Sequence, residues 1–210
     1  LEQVFDIFPK LREREHQLQL HAEELELLNA LSRRIATTLD LRAMAHEIVT
    51  AVAARFDGFL AGLLLYDEAR QELVVYASAG HGAQFSLPGE RVALGHGLIG
   101  QVALTRQTQL ASDTAAHPDF VPLRGVAVRA EVALPILRED KLLGVLVVSS
   151  DQTQAFERDD VLLLETLAAQ LSPAIENARL FRDLSASYDH TLDALAAALD
   201  TRDKETEGHS

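Results

Sequence analysis

The sequence predicts an α+β fold, in which helices pack on a central antiparallel sheet and long helices extend from both ends. Two observations lead to this prediction. Short apolar runs occur in pairs that a turn can join into hairpins, at residues 59–66 with 72–78 and at 131–137 with 142–150. Heptad spacing of apolar residues marks the two ends of the chain. Antiparallel hairpins combined with helices are typical of an α+β domain.

The composition limits the possible functions. A chain of 210 residues with 48% hydrophobic content suffices for one domain with helical extensions. It contains no cysteine, which excludes a disulfide framework, a thiolate metal site and a thioether-linked chromophore, and which fits a cytoplasmic location. A net charge of −13 would repel a phosphate backbone, so we expect no nucleic-acid partner. No apolar run of membrane-spanning length occurs, so we expect no membrane segment.

The first half of the chain predicts a helix, a second helix and a hairpin. Residues 1–38 carry apolar side chains at heptad spacing and predict a coiled-coil helix. Asp40 is suited to cap the next helix, predicted over 41–56 because its apolar residues share one face. The runs 59–66 and 72–78 then predict a buried strand and its hairpin partner.

A glycine-rich segment separates the two predicted hairpins. Gly95, Gly97 and Gly100 surround the start of a short helix predicted over 98–104. Their spacing matches the dinucleotide-binding fingerprint, but they do not follow the first strand of a βαβ unit. We therefore favour turn geometry and close helix packing over a phosphate cradle. A short strand at 108–111 and a long irregular segment to about residue 128 follow.

The second hairpin is followed by a long helix, predicted over 159–200. Two rows of mostly apolar residues at seven-residue spacing begin at Leu164 and Leu167, and such a seam needs a second helix to cover it. We expect a homodimer through helices 1–38 and 159–200. A monomer whose terminal helices pack on each other is the alternative. Pro173 is expected to kink the last helix.

Three stretches resemble segments of the GAF domain family. They are GHGLIGQVALTRQTQLASDTAAHPDF at 95–120, EVALPILREDKLLGVLVVSS at 131–150 and FERDDVLLLETLAAQLSPAIENARLF at 156–181. The resemblance implies a GAF domain over 39–182, preceded by a signalling helix over 1–38 and followed by a C-terminal signalling helix and the start of another domain over 183–210.

Members of the GAF family are sensory modules, so the resemblance implies a sensory or regulatory part of a bacterial signalling protein. An unknown small-molecule ligand is compatible with this resemblance, but no cofactor is predicted. The absence of cysteine excludes a covalently linked bilin, and the constellation of cyclic-nucleotide-binding members is not found. Candidate ligand-binding residues are Tyr76, His81, Phe85, His96, Asp113, His117, Phe120, Arg124 and Arg129. Histidines can bind haem or metal and arginines can clamp an anion, although solvated loop positions are the simpler interpretation. Because no nucleophile, base and orienting group fall together, we expect no enzymatic activity from these residues.

The last residues, 187–210, resemble the first helix of an HD-GYP phosphodiesterase. The resemblance implies that His209 and, in a subset of that family, Glu205 bind a divalent metal of the iron or manganese type in the downstream domain. The implied function is control of a cyclic di-GMP phosphodiesterase, through a shift in the packing of the dimer helices. A ligand-free GAF module that serves dimerisation or protein docking is the alternative.

Overall fold

A computed structural model of the protein describes residues 41–56, 59–81, 88–122 and 126–207, with side chains described up to 181 and at Leu184, Ser187 and Tyr188. The predicted helix over 1–38 lies outside these residues. The elements are α1 (Leu41–Arg55), β1 (Leu60–Asp67), β2 (Glu72–Ala79), β3 (Arg91–Ala93), α2 (Gly97–Thr105), β4 (Gln109–Ala111), a 3-10 turn (Thr114–Ala116), β5 (Ala130–Arg138), β6 (Lys141–Ser150) and α3 (Arg158–Glu207). None of the helices in this part of the chain is both long and apolar enough to cross a bilayer.

The strands form one six-stranded sheet in the order β3-β2-β1-β6-β5-β4, and the neighbouring strands are antiparallel. β1 and β6 pair at the centre, where Leu60 lies opposite Ser149 and Leu65 opposite Gly144. Helices cover both faces there, which explains why both strands are continuous apolar runs. The α+β prediction is confirmed. The short edge strand β3 was not predicted, because its three partly exposed residues give no periodic signal.

The core is divided by the sheet into two layers. On one face α1 and α3 pack over residues such as Ile48, Leu146 and Leu164, all 1% exposed or less. On the other face α2 packs over a smaller cluster that includes Leu98 and Val145. Burial of these side chains supplies the main driving force of folding, at about 1.5 to 3 kcal/mol for each large one.

A β-bulge in β2 decides which residues face which layer. Leu64 pairs with Val75 and Leu63 pairs with Ala77, so Tyr76 is an extra residue in β2. The bulge reverses the alternation: Val75 belongs to the layer under α2, whereas Ala77 belongs to the layer under α1 and α3. Tyr76 packs against the layer under α1 and α3, and the guanidinium carbon of Arg42 lies 5.3 Å from the centroid of the Tyr76 ring.

The long helix α3 changes its surroundings along its length. The first part of the predicted seam, Leu164, Leu167, Leu171, Ala174 and Ala178, is buried on the domain's own sheet and not against a partner helix. Further along, the side chains of Leu180, Phe181, Leu184 and Tyr188 are between 48% and 64% exposed. Pro173 is exposed, and the helix continues through it. The coiled coil itself stays a prediction.

Candidate functional site

A cavity of about 350 Å³ lies between the start of α2 and the sheet. That volume is within the range of small-molecule pockets, about 300 to 1,000 Å³. The cavity is lined by Leu60, Leu64, Val75, Glu90, Arg91, Val92, His96, Gly97, Leu98, Ile99, Val121, Pro122, Glu131, Val147 and Ser149. Its walls are mostly apolar side chains, with a few polar groups that converge on it, which is the usual make-up of a ligand site.

Glycines hold the start of α2 over the cavity. Gly97 has a φ of +68°, which a residue with a side chain rarely adopts. A Cβ at Gly100 would lie closer than 3.0 Å to the carbonyl oxygen of Ala93, so only glycine allows the helix to approach the end of β3. The Gly95 N–H donates to the Gly100 carbonyl at 2.8 Å and closes the turn. The interpretation of these glycines as turn and packing residues is confirmed.

Glu131 is the buried acid of the cavity, with only 4% of the residue exposed. It lies on β5 directly opposite Ser149 on β6, and its Oε2 accepts a hydrogen bond from the Ser149 Oγ at 3.0 Å. Burial raises the pKa of the Glu131 carboxyl to about 7, against the lowering effect of that hydrogen bond. The carboxyl is therefore close to half ionised at neutral pH. Among the described residues that are buried, Glu131 is the only acidic or basic one.

The raised pKa of Glu131 predicts a loss of stability as the pH rises. Between its ordinary value of 4.5 and about 7, the unfolded carboxyl is ionised while the folded one keeps its proton. The folded state then binds more protons, so the free energy of unfolding falls across this interval, by on the order of 3 kcal/mol. Glu131→Gln carries no titrating proton and is expected to lack this loss.

Urea unfolding of both proteins at pH 4.5 and pH 7.5 measures this effect. The difference between the wild type and Glu131→Gln isolates the one carboxyl, because all other groups are shared. Equal pH dependence of the two proteins would show that Glu131 titrates as an exposed acid.

Arg91, which lines the cavity, forms ion pairs with two acidic residues other than Glu131. The Nη1 of Arg91 lies 3.1 Å from Oε2 of Glu72 and 3.3 Å from Oδ2 of Asp67. These hydrogen bonds, first that of Glu72, raise the pKa of Arg91 above its ordinary value. Within the described residues, no basic side chain forms an ion pair with Glu131.

Of the candidates that the structure describes, His96 alone lines the cavity. It lies at the N-cap of α2, where its side chain is exposed and makes no capping hydrogen bond. Tyr76 packs against the layer on the opposite face of the sheet, and His81 is exposed just after β2. Phe85 and Arg124 lie outside the described residues.

The other candidates gather near the 3-10 turn and do not line the cavity. Asp113 caps this turn, its Oδ1 accepting from the Ala115 N–H at 3.0 Å. The Nδ1 of His117 accepts from the Asp119 N–H at 3.4 Å, and Phe120 is half-buried. Arg129 is exposed, and its carbonyl accepts from the Thr114 N–H at 2.9 Å. These contacts order the loop.

Glu131 and Ser149 were missed by the sequence analysis. The available signal was a polar residue at an interior position of each buried strand, where a solvated side chain is not expected. The metal ligands predicted for a downstream domain are not described: Glu205 lies in α3 with no described side chain, and His209 lies beyond the described residues.

Comparison with known proteins identifies the fold. The family model GAF_2, described as "GAF domain", matches residues 38–176. Free methionine-R-sulfoxide reductase of Saccharomyces cerevisiae is 30% identical over 80 residues, which cover 38% of this chain and 44% of that protein. The match thus spans less than half the length of the yeast relative.

Two solved structures are similar over most of their length. Free methionine-R-sulfoxide reductase of Neisseria meningitidis, solved with its substrate, has a TM-score of 0.68 at 27% identity and covers 76% of this chain and 92% of its own. The GAF domain of an Acinetobacter phosphoenolpyruvate-protein phosphotransferase has a TM-score of 0.68 at 25% identity and covers 77% and 98%.

These similarities correct one prediction. We expected no enzymatic activity because no nucleophile, base and orienting group fall together in the sequence. That prediction is contradicted, because the same fold forms a reductase in relatives that are 27% and 30% identical to this chain. The criterion failed because it looked for catalytic groups that are neighbours in sequence, whereas a cavity assembles its groups from separate strands.

Proposed function

The chain belongs to the GAF domain family, and from that premise we propose that it is a regulatory module which binds a small molecule in the cavity between α2 and the sheet. The observation that carries the proposal is a buried carboxyl, that of Glu131, in an otherwise mostly apolar cavity of ligand size. No basic side chain of the described residues pairs with this buried acid, and burial of an unpaired acid reduces stability, so its presence calls for a functional explanation. The similar GAF domain of the Acinetobacter phosphotransferase supports a regulatory role.

The ligand proposed is a metabolite with an apolar body and at least one polar end. Leu64, Val75 and Val147 would contact the apolar part, and the polar groups of the cavity would orient the other end. Free methionine sulfoxide is the first compound to test, because the yeast and Neisseria relatives are named for their action on it.

The test is binding to a variant whose cavity is blocked. Ile99 is half-buried at the start of α2 and lines the cavity, so Ile99→Trp is expected to fill it and to reduce affinity at least tenfold. Leu104→Trp on the same helix is the matched control, because Leu104 is 58% exposed and lies away from the cavity. Calorimetry with a panel of amino acids and their oxidised forms measures both. Equal affinity in the two variants would place the ligand elsewhere, and no binding by any compound would favour a ligand-free docking module.

Catalysis in the same cavity is the second candidate function, favoured by the similarity to reductases. Reduction of a sulfoxide by two thiols yields a thioether, a disulfide and water. The chain has no cysteine, so both thiols would come from an external dithiol. Protonated Glu131 would donate the proton to the sulfoxide oxygen. Incubation with methionine sulfoxide and a dithiol, followed by measurement of methionine, tests this candidate, and a rate equal to that without protein would exclude it.

We propose that α3 transmits ligand binding from the module to the rest of the protein. Its 50 residues span about 75 Å, and the exposed side chains beyond Ala178 suit a parallel homodimer. Ligand binding would favour one packing of the paired helices, a coupling that is typically worth about 1 to 3 kcal/mol. Sedimentation of the wild type and of Phe181→Glu, a position in the heptad row that begins at Leu167, tests the dimer. We expect the variant to dissociate, and a wild type that is monomeric at micromolar concentration would exclude the dimer.

The domain proposed to receive this signal is a downstream HD-GYP phosphodiesterase that acts on cyclic di-GMP. The proposal is supported by the resemblance of residues 187–210 to the first helix of that family. A chain that includes such a domain would show hydrolysis of cyclic di-GMP that changes on addition of the cavity ligand. Hydrolysis that does not respond to the ligand would separate the two domains functionally.

A further inference from the structure

The carboxyl of Glu131 lies in mostly apolar surroundings and has no positively charged partner among the described residues. The carboxyl lies among apolar side chains of three strands, including Leu64 and Val147. Ser149 donates the single hydrogen bond recorded for it. Such an environment favours the neutral acid, because an ionised carboxylate there lacks the solvation that water provides.

The other charged or titratable groups of the cavity do not neutralise Glu131. They are Glu90 and Arg91 at β3 and His96 at the start of α2, and all three are exposed at the rim. Arg91 is paired with Asp67 and Glu72. The strands that line the cavity contribute no other ionisable side chain. A cation that enters the cavity would therefore meet a carboxyl with no competing basic partner among the described residues.

We propose that the cavity is a proton-linked site for small organic cations, in which an ammonium group pairs with Glu131 and the proton of Glu131 is released to solvent. The exchange is balanced: a protonated carboxyl and an ammonium ion give a carboxylate–ammonium pair and one free proton. Ser149 is a positioning residue, since its hydroxyl holds one carboxylate oxygen and leaves the other side of the carboxylate for the ligand. The inference rests on the proposed function, because it requires that the cavity binds a ligand.

Proton release sets the pH dependence of binding. With a Glu131 pKa of about 7, roughly one tenth of the carboxyl is ionised at pH 6 and roughly nine tenths at pH 8. Affinity for a cation is therefore expected to be about tenfold weaker at pH 6 than at pH 8. Local pH would then act on the module through the same site as the ligand.

The experiment compares three probes of the same shape: 3-methylbutylamine, the neutral 3-methylbutanol and the anionic 4-methylpentanoate. Titration by calorimetry at pH 6, 7 and 8 is expected to show tightest binding of the amine, with the tenfold pH effect confined to it. Repetition at pH 6 in buffers of different ionisation enthalpy counts the protons, and a value near one per amine is expected. Equal binding of the alcohol or the acid, or no proton release, would overturn the inference.

Variants assign the effect to Glu131. Glu131→Gln keeps the shape of the side chain and is expected to lose both the preference for the amine and its pH dependence. Ser149→Ala is expected to weaken amine binding severalfold while proton release persists. In His96→Gln the pH dependence of amine binding is expected to persist, and its loss in this variant would overturn the assignment to Glu131.

The outcomes distinguish this inference from the function on which it rests. Failure of every probe and every metabolite to bind would remove the proposed ligand site itself. Binding that Ile99→Trp blocks, but that is independent of pH and unaffected in Glu131→Gln, would leave the site in place and overturn only its linkage to the proton.

Discussion

Replacement of Gly144 by alanine is expected to lower the free energy of unfolding by about 3 kcal/mol or more. Gly144 lies on β6 at the centre of the sheet, opposite Leu65 of β1 and Ile136 of β5. A Cβ there would approach the carbonyl oxygen of Leu64 to less than 3.0 Å. The obstacle is backbone that is paired in the middle of the sheet, so neither side can move without loss of hydrogen bonds.

Gly89→Ala is the matched control for Gly144→Ala. Gly89 has a φ of +96°, but a Cβ there would meet nothing within 4 Å. Only the backbone conformation opposes this change, at about 1 to 2 kcal/mol. Urea unfolding followed by circular dichroism measures both variants. Equal losses would mean that β1 and β6 are not in the register described.

Leu164→Ala is expected to lower the free energy of unfolding by about 2 to 5 kcal/mol. Leu164 lies on α3 and is fully buried against the sheet, so the change leaves a cavity in the larger core layer. Leu162→Ala, two positions earlier on the same helix, is the control. Leu162 is 62% exposed, and its loss is expected to stay within about 0.5 kcal/mol of the wild type.

This pair also tests which surface the heptad row of α3 covers. If Leu164 faced a partner helix, its replacement would make unfolding depend more strongly on protein concentration. The structure instead places it in the domain, so the loss in Leu164→Ala is expected to be the same at low and high concentration. Thermal unfolding over a hundredfold range of concentration separates the two cases.

Much of the fold could be predicted because its signals are local. The apolar runs of β1 and β6 and the amphipathic face of α1 depend on residues close in sequence. The face that each residue presents could not be predicted in the same way. The bulge at Tyr76 exists only in the pairing of β2 with β1. It places Ala77 in the layer under α1 and α3, whereas strict alternation from Val75 would place Ala77 under α2.

Less of the candidate site could be predicted, for the same reason. His96 was found because it adjoins glycines that mark the start of a helix. Glu131 and Ser149 become a pair only when β5 and β6 align, and a raised pKa follows only from the burial that the complete fold provides. The histidines and arginines in loops were predicted as ligand-binding residues because of their chemistry, although most of those that the structure describes lie away from the cavity.

The shortness of the outer strands has a consequence for aggregation. β3 and β4 have three residues each, so each outer strand presents only a short stretch of backbone on which another chain could add a strand. β4 pairs only with Glu131–Ala133, and the part of β5 beyond it carries Pro135, which has no N–H to donate. The short outer strands and Pro135 therefore disfavour intermolecular β-pairing, which lowers the tendency of the folded domain to aggregate edge to edge.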